Sequence, residues 1–280
     1  MKTRAITGFF FIIVMLASVL LGHYVFGAFY LVLSLFCLYE FYGLISQGTA
    51  KPNLPMGLIC GALLYIAFAL FTYKDAFALP ALSQGRCVYK LLFLTPVVFG
   101  GIFIWELFRK LDTPFNNIAY TFLGIIFTIV PFTFFHALAY AGRFEGFNFH
   151  FPMAFLLMLW ANDTGAYLTG MGIGKHKLFE RHSPKKTWEG FIGGVLISAG
   201  VGLIISHFYT GLTSVQWAGM AVIIGTVGTM GDLVESMFKR SINVKDSGGI
   251  LPGHGGLLDS NHPLFLAVPV VYAYLYFITN

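Results

Sequence analysis

Asp232, Glu235 and Ser236 stand at i, i+3 and i+4 near the end of an apolar stretch. A helix there carries two carboxylates and a hydroxyl on one face. Lys239-Arg240 follows, then Lys245-Asp246-Ser247-Gly248-Gly249, then Pro252-Gly253-His254-Gly255-Gly256, with Asp259 three residues on. Carboxylate oxygens are hard ligands of the kind Mg²⁺ takes, one or two at a time and together with substrate phosphates. Basic side chains beside them hold phosphates, and backbone N–H groups of a glycine-rich turn come close to an anion. That set is what phosphoryl or nucleotidyl transfer requires, since a metal neutralises developing charge and positioning does most of the rest. A salt-bridged interfacial loop is the plain alternative, and it has no use for so many small residues among the charges.

Two further polar groups interrupt apolar surroundings. Trp160-Ala-Asn-Asp163-Thr-Gly-Ala-Tyr167 puts a carboxylate inside an apolar segment, with Asp163 and Tyr167 on one helical face. A carboxylate at bilayer depth costs at least about 2.5 kcal/mol, so it should face protein or a wet cavity. A carboxylate hydrogen-bonded between helices is the plain reading, and the edge of an active cavity is the functional one. The stretch from Lys175 to Gly190 reads as a basic loop containing Ser183-Pro-Lys185-Lys186-Thr187-Trp-Glu189-Gly190. Its cations and hydroxyls can donate to phosphate oxygens, although such loops also serve as topology signals or touch anionic lipid.

These groups must be carried by a membrane protein. Hydrophobic residues make up 57% of the 280 and charged residues 10%, against roughly 25% charged in soluble domains. The mean hydropathy is +0.77. So little charge cannot cover a water-facing globule. No Asp, Glu, Lys or Arg occurs between Arg4 and Glu40, Lys51 and Lys74, Asp112 and Arg143, or Glu189 and Asp232, nor after Asp259. A spanning helix needs about 20 mostly apolar residues. The expected fold is all-α and polytopic, with nine transmembrane helices over 5–22, 26–45, 56–73, 91–108, 118–140, 151–170, 190–208, 216–238 and 263–279. Residues 5–22 show no small-x-small cleavage site and read as a retained helix. With the N-terminus in the cytoplasm, 13 of the 17 Lys and Arg fall on the cytoplasmic side, which predicts an N-in, C-out orientation.

Seven acidic residues, from Asp163 to Asp259, lie in the last 120 positions near the basic loops. The division expected is a scaffold of membrane helices over 1–140 and a catalytic membrane domain over 141–280 with its site on the cytoplasmic face. A transporter should show broken helices in two repeated halves, and no such repeat is present. Composition excludes a soluble nucleotide-binding module, and there is no GxxxxGK[ST] loop. The net charge of +5 reflects orientation and phosphate handling rather than nucleic-acid binding. Cys37, Cys60 and Cys87 match no metal-site spacing and read as structural thiols.

Three motifs together resemble one family. Ser236-x-x-Lys239-Arg240, Lys245-Asp246-Ser-Gly and Leu251-Pro-Gly-His254-Gly-Gly-x-Leu-Asp259 are similar to the signature of the phosphatidate cytidylyltransferases (CDP-diacylglycerol synthases). Trp160-x-x-Asp163-Thr and Ser183-Pro-Lys-Lys-Thr-x-Glu189-Gly190 resemble the family's other motifs. The resemblance implies transfer of CMP from CTP to phosphatidate, in a homodimer embedded in the bilayer. It implies that Asp232 and Asp259 hold Mg²⁺, while Asp246 supports a second cation or orients Lys245. Lys239, Arg240, Lys185 and Lys186 would bind phosphates, with Ser183, Thr187, Lys245, His254, Gly255 and Gly256 beside them, and Asp163 would line the cavity. One departure stands out. Where the family pattern runs Asp-Arg-x-Asp, this chain reads Asp259-Ser260-Asn261-His262. Losing a cation and a carboxylate there raises the alternative of a weak or inactive relative that binds nucleotide or lipid.

Overall fold

The structure is a computed structural model that describes residues 2–73, 86–141, 146–244, 247–250 and 255–279, without the side chains of 2–5, 86–89 and 262. Lys245, Asp246 and His254 therefore lie outside the described residues. Helices dominate: α1 Lys2–Leu20, α2 His23–Ile45, α3 Leu54–Tyr73, α4 Arg86–Arg109, α5 Pro114–Gly124 and α6 Val130–Leu138 come first. Then come α7 His150–Ile173, a two-stranded sheet of β1 Lys177–Phe179 and β2 Ser183–Thr187, α8 Trp188–Phe208, α9 Ser214–Ser241 and α10 Leu257–Thr279. Seven helical segments among the described residues are long and apolar enough to cross a membrane, making this an all-α polytopic membrane protein. The α1 segment Ile6–Leu20 is a shorter apolar helix. Helix α7 is not among the seven, since Trp160, Asn162 and Asp163 dilute its hydropathy.

The chain forms two compact units: Met1–Tyr140 with Glu145–Phe147 and Asp246–Asn261, and Ala141–Phe144 with Asn148–Lys245 and His262–Asn280. In the first, α2 buries Phe26, Tyr30, Leu33, Cys37, Phe41 and Leu44 at intervals of three or four residues, one stripe of a 3.6-residue period. Its other faces expose Tyr24, Val32, Phe36 and Tyr39. Apolar exposure of that kind, shared by α4 at Phe93, Leu107 and Phe108, suits lipid rather than water. The Tyr42 ring leaves no room for a Cβ at Gly57 or Gly124, and its hydroxyl donates to Thr121 O at 2.6 Å. A π-helical turn, Ile125–Ile129, joins α5 to α6. Pro131 follows it with no N–H to give, so the ladder is interrupted there and the backbone takes one wider turn.

In the second unit α8 carries a stripe of small residues, Gly190, Gly194, Ser198 and Gly202, four apart and all buried. Small residues let helix backbones approach without hydrophobic drive, as membrane interfaces require. A Cβ at Gly165 of α7 would lie 3.2 Å from Gly194 Cα, and one at Gly190 would lie 2.8 Å from Ala166 O. Ser198 Oγ donates to Met158 O at 2.9 Å across the same seam. At the far end, a Cβ on Gly202 would meet Trp217 O of α9 at 3.0 Å. Helix α9 opens with a reciprocal cap between Thr213 and Gln216, satisfying two end donors. Tyr274 of α10 donates to Gln216 O at 3.0 Å.

The basic stretch after α7, expected as a loop, contains a two-stranded hairpin. Its strands pair antiparallel, Lys177 with Thr187 and Phe179 with Ser183. Glu189 closes the open end: its carboxylate accepts the N–H groups of Lys175 and His176 and sits 2.6 Å from His176 Nδ1. Trp188 N–H donates to His176 O. A carboxylate in the first turn of α8 thus also complements that helix's positive end.

Candidate active site

The second unit holds a cavity of about 450 Å³ whose lining includes Asp163, Lys185, Lys186, Thr187, Thr229 and Asp232. Its size lies within the range of small-molecule sites. Each element delivers its side chains for a local reason. Asp163 and Asn162 come from α7 at the seam with α8, and Asn162 Nδ2 donates toward Asp163 at 3.4 Å. Lys185 and Lys186 come from β2, which runs into α8 through Thr187. Thr187 is buried, and its hydroxyl accepts Gly190 N–H at 3.1 Å as the N-cap of α8. Capping and lining thus fall to one residue. Asp232 comes from α9, pairs with Lys186 and accepts a weak 3.5 Å bond from Ser236.

The expected face of Asp232, Glu235 and Ser236 is real but divided in its roles. Asp232 and Lys186 are each about a quarter exposed at the side chain, 26% and 28%, so solvent or a ligand can reach both. Glu235 is 1% exposed and holds Lys239 in an ion pair at 3.1 Å. Arg240 is exposed at the end of α9, and Ser183 opens β2 half-buried.

Asp259 belongs to the first unit, in the first turn of α10. Its Oδ2 accepts Ser247 N–H at 2.7 Å and Gly256 N–H at 2.9 Å. The Gly256 N–H is thus given to Asp259, and Gly255 has φ +99° with Asp259 filling the place of a Cβ. In return Asp259 N–H donates to Ser247 Oγ at 3.3 Å. Ser260 and Asn261 serve the same helix start. Ser260 Oγ donates to Gly256 O at 3.3 Å and Asn261 Nδ2 to Leu257 O at 2.8 Å.

The Cytidylyltransferase family matches residues 2–278. The chain belongs to the cytidylyltransferase family. Proteins named phosphatidate cytidylyltransferase from Staphylococcus aureus (strain COL) and Staphylococcus haemolyticus (strain JCSC1435) are 34% and 32% identical over 273 residues, 97% of this chain and of each relative. One from Staphylococcus epidermidis (strain ATCC 12228 / FDA PCI 1200) is 33% identical over the same span. The match includes the first six helices, which sequence reasoning left as scaffold.

Glu40 was not singled out in that reading. Although α2 is apolar, Glu40 is 6% exposed and its carboxylate accepts the N–H groups of Leu257 and Leu258 at 3.1 and 2.7 Å. The signal was available. Glu40 is the first charged residue after Arg4, and the cost argument applied to Asp163 holds equally for a carboxylate there. Glu106 is also buried: it accepts from Asn117 Nδ2 at 2.6 Å and pairs with Arg109 at 3.0 Å.

Proposed function

We propose that the protein transfers CMP from CTP to phosphatidate, forming CDP-diacylglycerol and releasing pyrophosphate within the membrane. The observation that carries this reading is the cavity where Lys186 meets Asp232, in a chain the cytidylyltransferase family matches end to end. The name of the Staphylococcus relatives supplies the substrates. In the reaction a phosphatidate phosphate oxygen attacks the α-phosphorus of CTP. The bond from that phosphorus to the bridging oxygen breaks, and pyrophosphate leaves with the electron pair. No covalent intermediate on the protein is needed. Lys185 and Lys186 bind phosphate oxygens, Lys186 exchanging its carboxylate partner for substrate, while Asp163 lines the cavity. Lys239, Arg240, Lys245, Asp246, His254, Gly255 and Gly256 enter the proposal through the signature motif.

Magnesium fits the donor set. Asp163 and Asp232 both line the cavity. These are oxygen donors of the kind the ion takes, and Asp232 would exchange the Lys186 ammonium for the ion. Asp232 would hold Mg²⁺, and the resemblance of the signature motif offers Asp259 as a further ligand and Asp246 for a second cation. Bound there, the metal supplies charge neutralisation at the reacting phosphates.

The proposal includes a cytoplasmic active face, supported by the excess of Lys and Arg in the hairpin and at the end of α9. It also includes a homodimer, which the mass of the purified protein–detergent complex would read. Retention of Asp259 and the end-to-end match favour the active enzyme over a binding-only relative. The test is Mg²⁺-dependent formation of CDP-diacylglycerol from CTP and phosphatidate by purified protein in detergent. Wild type should give product and Asp232→Asn at least about 10²-fold less, the scale of losing one electrostatic group at a reacting centre. Folded wild-type protein that binds CTP yet makes no product would overturn the reading.

A further inference from the structure

The start of α10 is capped by two parts of the chain far apart in sequence. A capping box normally takes its hydroxyl from the residue just before the helix and its carboxylate from the third position. Here the residue before the helix is Gly256, which has no side chain, and the third is Asp259. Asp259 plays the usual carboxylate part toward Gly256 N–H. The hydroxyl that accepts Asp259 N–H comes instead from Ser247, twelve residues upstream. The first two helical N–H groups, Leu257 and Leu258, would still be orphaned. Glu40, 217 residues away, accepts both, one on each oxygen.

The fit around Glu40 is close. A Cβ on Gly248 would lie 3.0 Å from Oε1 and one on Gly256 2.5 Å from Oε2. The Ser247 hydroxyl borders the same Gly256 position as the Glu40 carboxylate. Glu40 therefore touches both segments that Asp259 ties together, at Ser247–Gly248 and at Gly256–Leu258. Generic helix capping needs only a local Ser, Thr, Asp or Asn. A buried glutamate from a spanning helix costs more, and what it adds is a set direction for the α10 start relative to α2.

We propose that Glu40 is a positioning residue of this cytidylyltransferase: it holds the Ser247–Gly248 and Gly256–Leu258 backbone so that the Asp259 carboxylate is presented in its reactive pose. The inference rests on the proposed CMP transfer. Replacing one carboxylate oxygen by an amide NH₂ sets a donor against a backbone donor, breaking one of the two bonds and loosening the turn. Substrate contacts made from β2 remain.

The test compares wild type with Glu40→Gln and Glu40→Asp as full-length protein in detergent, each checked for folding by its elution profile and melting temperature. Two readouts are taken. Hydrogen exchange of a peptide covering Gly255–Ser260 reads the turn itself. Steady-state kinetics with varied CTP and Mg²⁺ read the reaction. For Glu40→Gln we expect at least about tenfold faster exchange in that peptide. We also expect kcat lowered about 10–100-fold, KM for CTP changed by less than about threefold, and a higher Mg²⁺ requirement, the pattern of a misplaced group rather than lost binding. Glu40→Asp keeps the charge one methylene short and should recover part of kcat. Unchanged exchange and unchanged kcat in a folded Glu40→Gln protein would overturn the proposal, as would a rate loss that merely tracks lost folded protein. If wild type itself makes no product, CMP transfer falls alone, and the exchange data still decide whether Glu40 holds the turn.

Discussion

Substituting Gly194 tests whether the contact between α7 and α8 sets the geometry of the cavity. An alanine Cβ there would lie 2.7 Å from Asn162 O, 2.9 Å from Asn162 Oδ1 and 3.0 Å from Ala166 Cβ. The nearest of these is backbone oxygen, so no rotamer change relieves it. Ordinary contact begins near 3.4 Å, and the helices must part by about 0.7 Å, forfeiting dispersion along the seam. Overpacking of this kind costs about 1–3 kcal/mol. Alanine also gains up to about 1 kcal/mol over glycine from helix propensity, which would mask part of the clash. Gly200, on the same helix, has nothing within 4 Å of its Cβ position, so Gly200→Ala takes the same gain without the clash. The difference in unfolding free energy between the two variants should therefore be about 1–3 kcal/mol. Chemical unfolding in detergent, run on both in parallel, measures it. The displaced helix begins at Thr187–Trp188 beside the cavity. Since a misplacement of about 1 Å can cost about 10²-fold in rate, Gly194→Ala should lose at least about tenfold in CDP-diacylglycerol formation while Gly200→Ala stays near wild type. Equal stability and equal rate in the two variants would refute the reasoning, because the seam would then be slack.

Two other outcomes follow from the departures and the charge pattern. Restoring the family's residues in the double variant Ser260→Arg/His262→Asp should change kcat by less than about tenfold, about 1.4 kcal/mol of barrier; a much larger gain would mark the natural segment as defective. Single cysteines placed at Glu180 in the hairpin turn and at Gly211 between α8 and α9 should differ in labelling by a membrane-impermeant thiol reagent on intact cells, Gly211 reacting and Glu180 protected. The reverse pattern would overturn the N-in, C-out orientation.

The membrane class, the helical segments and the family were legible in the residues. Charge-free runs of spanning length can satisfy their backbone in lipid only as helices, and the Gly231–Asp259 signature is specific enough to name a family by itself. Asp163, Lys185 and Lys186 from the two plainer motifs and Asp232 from the signature, nearly 70 residues apart at the extremes, gather at one cavity. Periodicity on any single helix could not show that gathering, because it depends on how closely α8 lies against α7 and α9. The small-residue stripe from Gly190 to Gly202 sets that closeness, and its partners lie on other helices.

Tertiary structure decided which polar groups have a structural duty. Thr187 looked like a phosphate donor and is also the N-cap of α8. Lys239 looked free to bind phosphate and is paired with the buried Glu235. Glu40, which the sequence showed only as the end of a charge-free run, caps a helix that starts 217 residues later. Residue type and local spacing state what chemistry a side chain can do. Which of its oxygens or protons are already committed depends on neighbours distant in sequence, because a buried polar group must find its partner wherever the fold brings one.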